Sequence, residues 1–296
     1  MSRNLGIAGI QMTVARGEDN SEPMLARMKH VALLFPWVDL IFFSELCLSG
    51  LDMKMTLSDS GRGLEKFSRF AAKENKWVIP GSFYEKRGGR IYNTAAVISP
   101  DGEIVTSYSK MFPWRPLETS APGKDFCAFD IPGKGRFGLC ICYDQWFPEV
   151  ARTLAWMGAE AVFCPTATIT PDREQEIIMS RSNAIANQVY WFSLNGLGAG
   201  GIGQSVFVDP EGRILQRAGA GEQYLTEIID LDLVSRVREY GTMGHCQVLK
   251  EFGSYKGTFP VYEDEWSKAE VFKSLGPVKL HKKLTDQPSS KPKAQS

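Results

Sequence analysis

The sequence predicts an α/β fold with a mixed sheet or two sheets, and three observations carry that prediction. Short apolar runs alternate with longer stretches whose apolar residues recur every three or four positions. Turn signals of the Pro-Asp-Gly and Pro-Gly type join some of the apolar runs directly, as hairpins do. No shift in composition breaks the pattern before about residue 235.

The elements follow in order. "LGIAGIQM" (5–12) lacks helical spacing and reads as a buried strand. Residues 20–35 have helical spacing, with Asn20 or Ser21 as the cap and Pro23 in the first turn. "WVDLIFFSE" (37–45) is a strand ending on a carboxylate, 63–76 a helix, and "WVIPGSFYE" (77–85) a further strand. The strands "YNTAAVISP" and "EIVTSYSK" flank the turn at Pro100-Asp101-Gly102. A second hairpin, 125–144, turns around Pro132-Gly133-Lys134-Gly135. Residues 148–158 form a helix that Gly158 terminates. "AEAVFCPT" is a strand, 172–188 a helix and "VYWFSLNGLG" a strand. The hairpin "QSVFVDPEGRILQRAG" and the strand "YLTEIIDLD" complete the pattern.

Beyond residue 235 the chain becomes polar, aromatic and weakly periodic, and from 281 it is rich in Pro, Ser and Lys. The expected organisation is a main domain over 1–235, an extension over 236–280 used in oligomer contacts, and a disordered tail over 281–296.

Composition excludes several classes. The 296 residues carry 34 basic and 34 acidic side chains, so no global field favours nucleic acid or an anionic membrane. No run approaches the ~18 apolar residues of a membrane span, and the first residues lack a signal-peptide core. The expectation is a soluble, cytoplasmic protein. Six scattered cysteines without CxxC spacing argue against both a disulfide framework and a zinc site.

One stretch raises a chemical question. "GLCICYDQWFPE" (138–149) holds Cys140 and Cys142 two positions apart, which in a strand puts them on one face. Only Cys142 stands where the strand breaks toward a helix. Backbone N–H groups and a helix N-terminus at such a turn favour a thiolate and could hold an oxyanion. The competing reading is a packed thiol, which suits Cys47, Cys127, Cys140 and Cys164. A nucleophilic cysteine needs a base. Only three histidines exist: His30 and His281 read as surface residues, and only His245 is a plausible partner. A carboxylate or lysine is therefore expected to move the proton. Glu45 closes an apolar run where a buried carboxylate is costly unless paired or functional, and Lys110 closes another strand before "MFPW". Three strand ends thus offer a base, a cation and a thiol, a set suited to covalent acyl transfer.

With these residues in view, the chain resembles the nitrilase superfamily of carbon–nitrogen hydrolases. The matching segments are "FFSELCLSG", "YSKMFPWRPLE" and "GLCICYDQWFPEVAR", followed in order by "GAEAVFCPTA", "NAIANQVYWFSLNGLG" and "GQSVFVDPEGRIL", spanning about residues 5–235. The resemblance implies a four-layer αββα sandwich, pairing into dimers or larger homo-oligomers, with no metal and no organic cofactor. It implies Cys142 as nucleophile, Glu45 as general base, and Lys110 with the Tyr143 N–H as oxyanion donors. It also implies Glu118 as a second carboxylate that positions substrate and assists proton transfer.

The branch is read from departures. True nitrilases resemble Cys-Trp-Glu-Asn at the nucleophile, whereas this chain has Cys142-Tyr143-Asp144-Gln145, which points to amide or carbamoyl substrates. "DQWFPE" is similar to N-carbamoylputrescine amidases, while "KMFPWRPLE" and "RSNAIAN" resemble aliphatic amidases and formamidases. Asn183 and Ala186 replace the Arg and Glu of most branches and favour the amidase side. The cysteine that follows "FPW" in formamidases is Arg115 here, either a surface charge or a group that recognises a substrate carboxylate. Tyr143 and Trp146 are the candidates for shaping the pocket. The expected partner is a small-molecule amide, hydrolysed through a thioester to ammonia and a carboxylic acid. An N-carbamoyl amidohydrolase is the alternative, and an acyltransferase or a non-catalytic binding subunit lies further off.

Overall fold

A computed structural model of the chain describes residues 2–58, 60–263 and 266–279. The tail over 281–296 and His281 lie outside these residues. Two units are distinguished: residues 1–113 with 120–254, and residues 114–119 with those from 255 onward.

The first unit contains two large sheets and the helices that cover them, besides a two-stranded parallel pairing of Thr13–Val14 with Leu197–Gly198. Its strands are β1 (Asn4–Gln11), β2 (Leu40–Phe43), β3 (Trp77–Ile79), β4 (Ser82–Arg87), β5 (Arg90–Ile98) and β6 (Ile104–Ser109), then β7 (Cys127–Ile131), β8 (Gly135–Leu139), β9 (Ala161–Thr166) and β10 (Tyr190–Asn195). The last are β11 (Val206–Val208), β12 (Ile214–Arg217) and β13 (Gln223–Asp230). Helices α1 (Ser21–Leu34) and α2 (Ser60–Glu74) fall in the first half, α3 (Pro148–Trp156) and α4 (Arg173–Asn187) in the second, and α5 (Leu231–Tyr240) and α6 (Val248–Ser254) follow β13. One sheet has the order β13-β1-β2-β3-β5-β4, with β6 also paired to β5; the other runs β12-β11-β10-β9-β8-β7. Both are mixed: β1-β2-β3 and β8-β9-β10 are parallel, and the hairpins add antiparallel edges.

Three clusters of buried side chains define the layers. Leu5, Ile7, Leu40 and Phe42 of the first sheet meet Phe137, Leu139, Phe163 and Phe192 of the second, so the two sheets share a core. Phe42 and Phe163 pack edge to face, with ring centroids 5.1 Å apart. The opposite face of the first sheet (Ala8, Ile10, Ile41, Phe43) is covered by Met24, Met28 and Val31 of α1 and Leu64 and Phe67 of α2. The outer face of the second (Val162, Cys164, Trp191) is covered by Val150 and Leu154 of α3 and Ile177 and Ala184 of α4. The order is α, β, β, α, the four-layer sandwich expected. Both central strands are buried on two faces, which is why they read as continuous apolar runs.

Local departures have physical causes. The strand expected over 77–85 is two strands, because Pro80 lacks an N–H and Gly81 adopts φ +75°. A Cβ at Gly81 would lie 1.9 Å from the carbonyl oxygen of Ser44, so only glycine lets the chain cross beside the segment carrying Glu45. Asn20 precedes α1 without capping it: its side chain bonds the backbone of Ala15 and Glu18, and Asp19 accepts from the Ser21 N–H instead.

Candidate active site

The cysteine turn comes first. Strand β8 ends at Leu139, and the chain then passes into a single 3₁₀ turn, Cys142–Trp146. Cys142 has φ +50°, a conformation that costs a residue bearing a Cβ about 1–3 kcal/mol. That turn overrides strand alternation. Cys140 is fully buried in the cluster under α3 and α4, whereas half-buried Cys142 packs against the core between the sheets. The expectation that both share a face is therefore corrected, because regular strand geometry stops before Cys142.

The turn is held by a buried carboxylate. Asp144 Oδ2 accepts from the Ile141 N–H (2.9 Å) and the Tyr108 hydroxyl (2.8 Å), and Oδ1 accepts from the Phe112 N–H (2.8 Å). One side chain thus ties the cysteine turn to the segment that follows Lys110. Asn183 donates to the Gln145 carbonyl (2.9 Å) and Ser180 to the Gln145 side chain (3.1 Å), fixing the far side of the turn to α4.

Burial pushes the Asp144 carboxyl up to about 6, against the Lys110 charge and the donors from Ile141, Tyr108 and Phe112. In the unfolded chain an aspartate titrates at about 3.9. Between those values the native state holds a proton that the unfolded state has released. The stability contributed by this group therefore rises as pH falls from 7 toward 4. Denaturant unfolding of the wild type and Asp144→Asn at pH 7 and pH 5 checks this. The difference between them is expected to shift toward the wild type at pH 5, by about 1 kcal/mol. A pH-independent difference would contradict it.

Glu45 and Lys110 converge from the first sheet. Glu45 lies two residues past β2, and its N–H donates to the Thr166 carbonyl at 3.1 Å, so its backbone bridges to the second sheet. Lys110 follows β6, with its N–H on the Asn93 carbonyl at 2.8 Å. Glu45 Oε1 accepts from Lys110 Nζ at 2.7 Å and from Asn93 Nδ2 at 2.8 Å. The pair is almost fully buried, with side chains 3% and 2% exposed. An ion pair so enclosed is costly to assemble and gains little over apolar packing, which suggests a purpose other than stability.

Electrostatics unite the three residues. Burial pushes the Cys142 thiol well above its ordinary value. The Glu45 carboxylate adds to that rise, Lys110 opposes it, Glu176 adds to it, and the Ala167 N–H opposes it. The thiolate expected from turn geometry is thus not the resting form, because burial and two carboxylates outweigh one ammonium and a backbone donor. Attack by Sγ requires a base at the moment of reaction, and Glu45 is the carboxylate with the largest effect on the thiol.

A fourth group was not legible in the sequence. Thr168 Oγ1 lies 4.0 Å from Cys142 Sγ and donates to Glu176 Oε2 at 2.5 Å. Glu176, in the first turn of α4, also accepts from Arg173 Nη1 at 2.9 Å, and the Trp146 indole N–H reaches its Oε1 at 3.5 Å. Arg173 is anchored further by Ser193 Oγ (3.0 Å) and the carbonyls of Ser193 (3.2 Å) and Gln204 (3.1 Å).

Of the remaining expected residues, Tyr143 and Trp146 are half-buried in the cysteine turn, with ring centroids 6.2 Å apart, and Tyr143 packs edge-on to Phe147. Arg115 and Glu118 belong to the second unit. There the Glu118 carboxylate accepts from the Trp114 N–H at 3.0 Å, the Glu118 N–H donates to the Trp114 carbonyl at 2.8 Å, and the Arg115 guanidinium donates to the Glu118 carbonyl. His245 lies on the exposed segment after α5 and belongs to none of these networks.

A four-layer sandwich with a buried Glu-Lys pair and a half-buried cysteine packed against the core between its sheets defines an α/β scaffold of the nitrilase type. The family model described as carbon-nitrogen hydrolase matches residues 8–239, and the chain belongs to that family. Curated relatives include a formamidase of Helicobacter acinonychis, 34% identical over 188 residues that cover 60% of this chain and 56% of the relative. A formamidase of Bacillus cereus is 36% identical over 177 residues, 57% of this chain and 53% of the relative. The chain thus spans about half the length of the curated relatives it matches. Among solved structures, Nit3 of Saccharomyces cerevisiae, a member of branch 10 of the nitrilase superfamily, superposes with a TM-score of 0.73 at 25% identity, covering 81% of this chain and 94% of Nit3. A carbon-nitrogen hydrolase of Helicobacter pylori G27 gives 0.72 at 26% identity, covering 86% and 99%.

Proposed function

We propose that the protein hydrolyses the carbon–nitrogen bond of a small primary amide through a thioester on Cys142, releasing ammonia and a carboxylic acid. The observation that carries this reading is the buried Glu45–Lys110 pair, oriented by Asn93, acting on a cysteine whose thiol is neutral at rest. Glu45 takes the Sγ proton as sulfur bonds to the carbonyl carbon. The carbonyl oxygen, gaining charge, is received by Lys110 Nζ and the Tyr143 N–H. Glu45 then delivers its proton to the departing nitrogen and the C–N bond breaks, leaving the thioester and ammonia. Water, deprotonated by the carboxylate, attacks the thioester; the C–S bond breaks and sulfur regains its proton. Proton transfer of this kind contributes about 10²–10⁴-fold and an oxyanion donor about 10²–10³-fold.

Glu118 is assigned to positioning the substrate amide and assisting proton transfer. The Arg115 contact with the Glu118 carbonyl favours a role in holding that loop over recognition of a substrate carboxylate. That relatives of this chain are formamidases supports a small acyl group, as do the aromatic rings of Tyr143 and Trp146 in the turn of the nucleophile. The reading also has the protein acting in the cytoplasm as a homo-oligomer. Support for assembly comes from Trp156, Ile178 and Ile185, apolar side chains exposed on α3 and α4.

Ammonia release across formamide, short aliphatic amides, N-carbamoyl amines and nitriles tests the proposal. Short amides are expected to react fastest. Reaction of nitriles or carbamoyl compounds alone would overturn the substrate class.

A further inference from the structure

We infer that the wall of Thr168, Glu176 and Trp146 beside Cys142 selects amides whose acyl group carries a hydrogen-bond donor and rejects acyl groups that end in a carboxylate. This rests on the amidase reading above and specifies its substrate.

The carbonyl carbon of a bound amide has three substituents, and two of them have fixed partners. Its oxygen and nitrogen are drawn to Lys110 and Glu45, which come from the first sheet. The acyl chain is left to face the other side of Sγ, where Thr168 arrives two residues past the end of β9. At 4.0 Å from the thiol sulfur, the Thr168 hydroxyl borders any acyl group bonded there.

What this wall offers is fixed by proton accounting. The single Thr168 hydroxyl proton is directed to Glu176 Oε2 at 2.5 Å, so toward Sγ the oxygen presents lone pairs. Glu176 is an acceptor only. Its Oε2 serves Thr168 and Arg173, and its Oε1 receives the Trp146 indole N–H at 3.5 Å, the long end of hydrogen-bond range. Arg173 cannot reverse the polarity. It is fully buried, and its guanidinium is spread over Glu176, Ser193 and the Gln204 carbonyl, so it fixes the carboxylate without turning to a ligand. The wall is therefore rich in acceptors, and although Arg173 balances the charge of Glu176, the nearer carboxylate is the one whose influence reaches the Cys142 thiol. A purely alkyl group against it leaves acceptors desolvated without a partner. A hydroxyl or ammonium supplies one, and a carboxylate meets like charge.

Four amides of similar size separate these cases: propionamide, 2-hydroxyacetamide, 2-aminoacetamide and malonamate. For the wild type, kcat/KM is expected to be about tenfold or more higher for the hydroxy and amino amides than for propionamide, with malonamate about tenfold or more below it. Thr168→Val keeps the Arg173–Glu176 pair and so the local fold. Its ratio of hydroxyacetamide to propionamide should collapse several-fold, and comparing ratios removes the intrinsic reactivity of the two amides. Glu176→Gln should lower the preference for the ammonium substrate and raise the malonamate rate. If none of the four releases ammonia, the amidase reading fails and the inference falls with it. If amides are hydrolysed but propionamide equals the hydroxy amide, or Thr168→Val leaves the ratio unchanged, the wall does not select the substrate and the amidase reading stands alone.

Discussion

Cys142→Ala is expected to reduce ammonia release to background, a loss of about 10⁵-fold or more in kcat, without changing the fold. Three features of the turn support this. Alanine keeps a Cβ, so the φ +50° conformation costs the variant what it costs the wild type. The turn itself is held by Asp144 and by the contacts of Gln145 with Ser180 and Asn183, none of which involves sulfur. Cys142 is also not fully enclosed, so its sulfur leaves less of a cavity than a fully buried one would. Cys140→Ala is the matched control. It removes a sulfur from a fully buried site, where a small cavity costs on the order of 1–2 kcal/mol of stability. Its activity should stay within about threefold, a change smaller than removal of one catalytic group by at least an order of magnitude. Ammonia assays and thermal unfolding of the two variants separate the roles. Comparable activity in both would remove Cys142 from the chemistry.

Glu45→Gln carries the second large effect. The amide retains an oxygen that can accept from Lys110 and Asn93, but it cannot take the thiol proton. A fall in kcat of about 10²–10⁴-fold is expected. The substitution also takes a negative charge away from a buried ammonium, and breaking such a pair costs about 3–5 kcal/mol. A third consequence distinguishes a base from a structural partner. Glu45 is one of the groups that raise the Cys142 thiol, so its neutralisation should lower that value. The pH profile of iodoacetamide labelling at Cys142 is expected to move to lower pH as turnover is lost. Lost stability with unchanged kcat and unchanged labelling would make Glu45 a purely structural carboxylate.

Much of this was legible in the residues. The central strands announced themselves because burial on two faces demands unbroken apolar runs, as in "LIFF" and "AVFC". Glu45 and Lys110 stood out because an ionisable group at the end of such a run needs a reason. The groups that support them were hidden for the converse reason. Asn93 sits inside β5, 48 positions from its partner Glu45, and Asp144 reaches Tyr108 across 36 positions. Arg173 and Glu176 look like ordinary solvated charges in the first turn of a helix. Only the packing of α4 against the second sheet reveals that they are buried. Cys142 was set apart from Cys140 by its place at the strand break and by the resemblance, whereas the φ +50° that puts the two thiols on different faces lies outside any period-two argument. The Pro80-Gly81 break was present in the letters, but its force came from the crossing with Ser44, a contact no local pattern records.

The proposed mechanism requires a covalent acyl group on Cys142 during turnover. Rapid acid quenching during turnover of a short amide, followed by mass analysis of proteolytic peptides, reads it directly. Hydroxylamine in a parallel reaction captures the same acyl group as a hydroxamate. An acyl increment on the peptide containing Cys142, absent in Cys142→Ala, is expected together with hydroxamate formation. Ammonia release with no acyl increment at any quench time and no hydroxamate, or an increment mapped to Cys140, would contradict it.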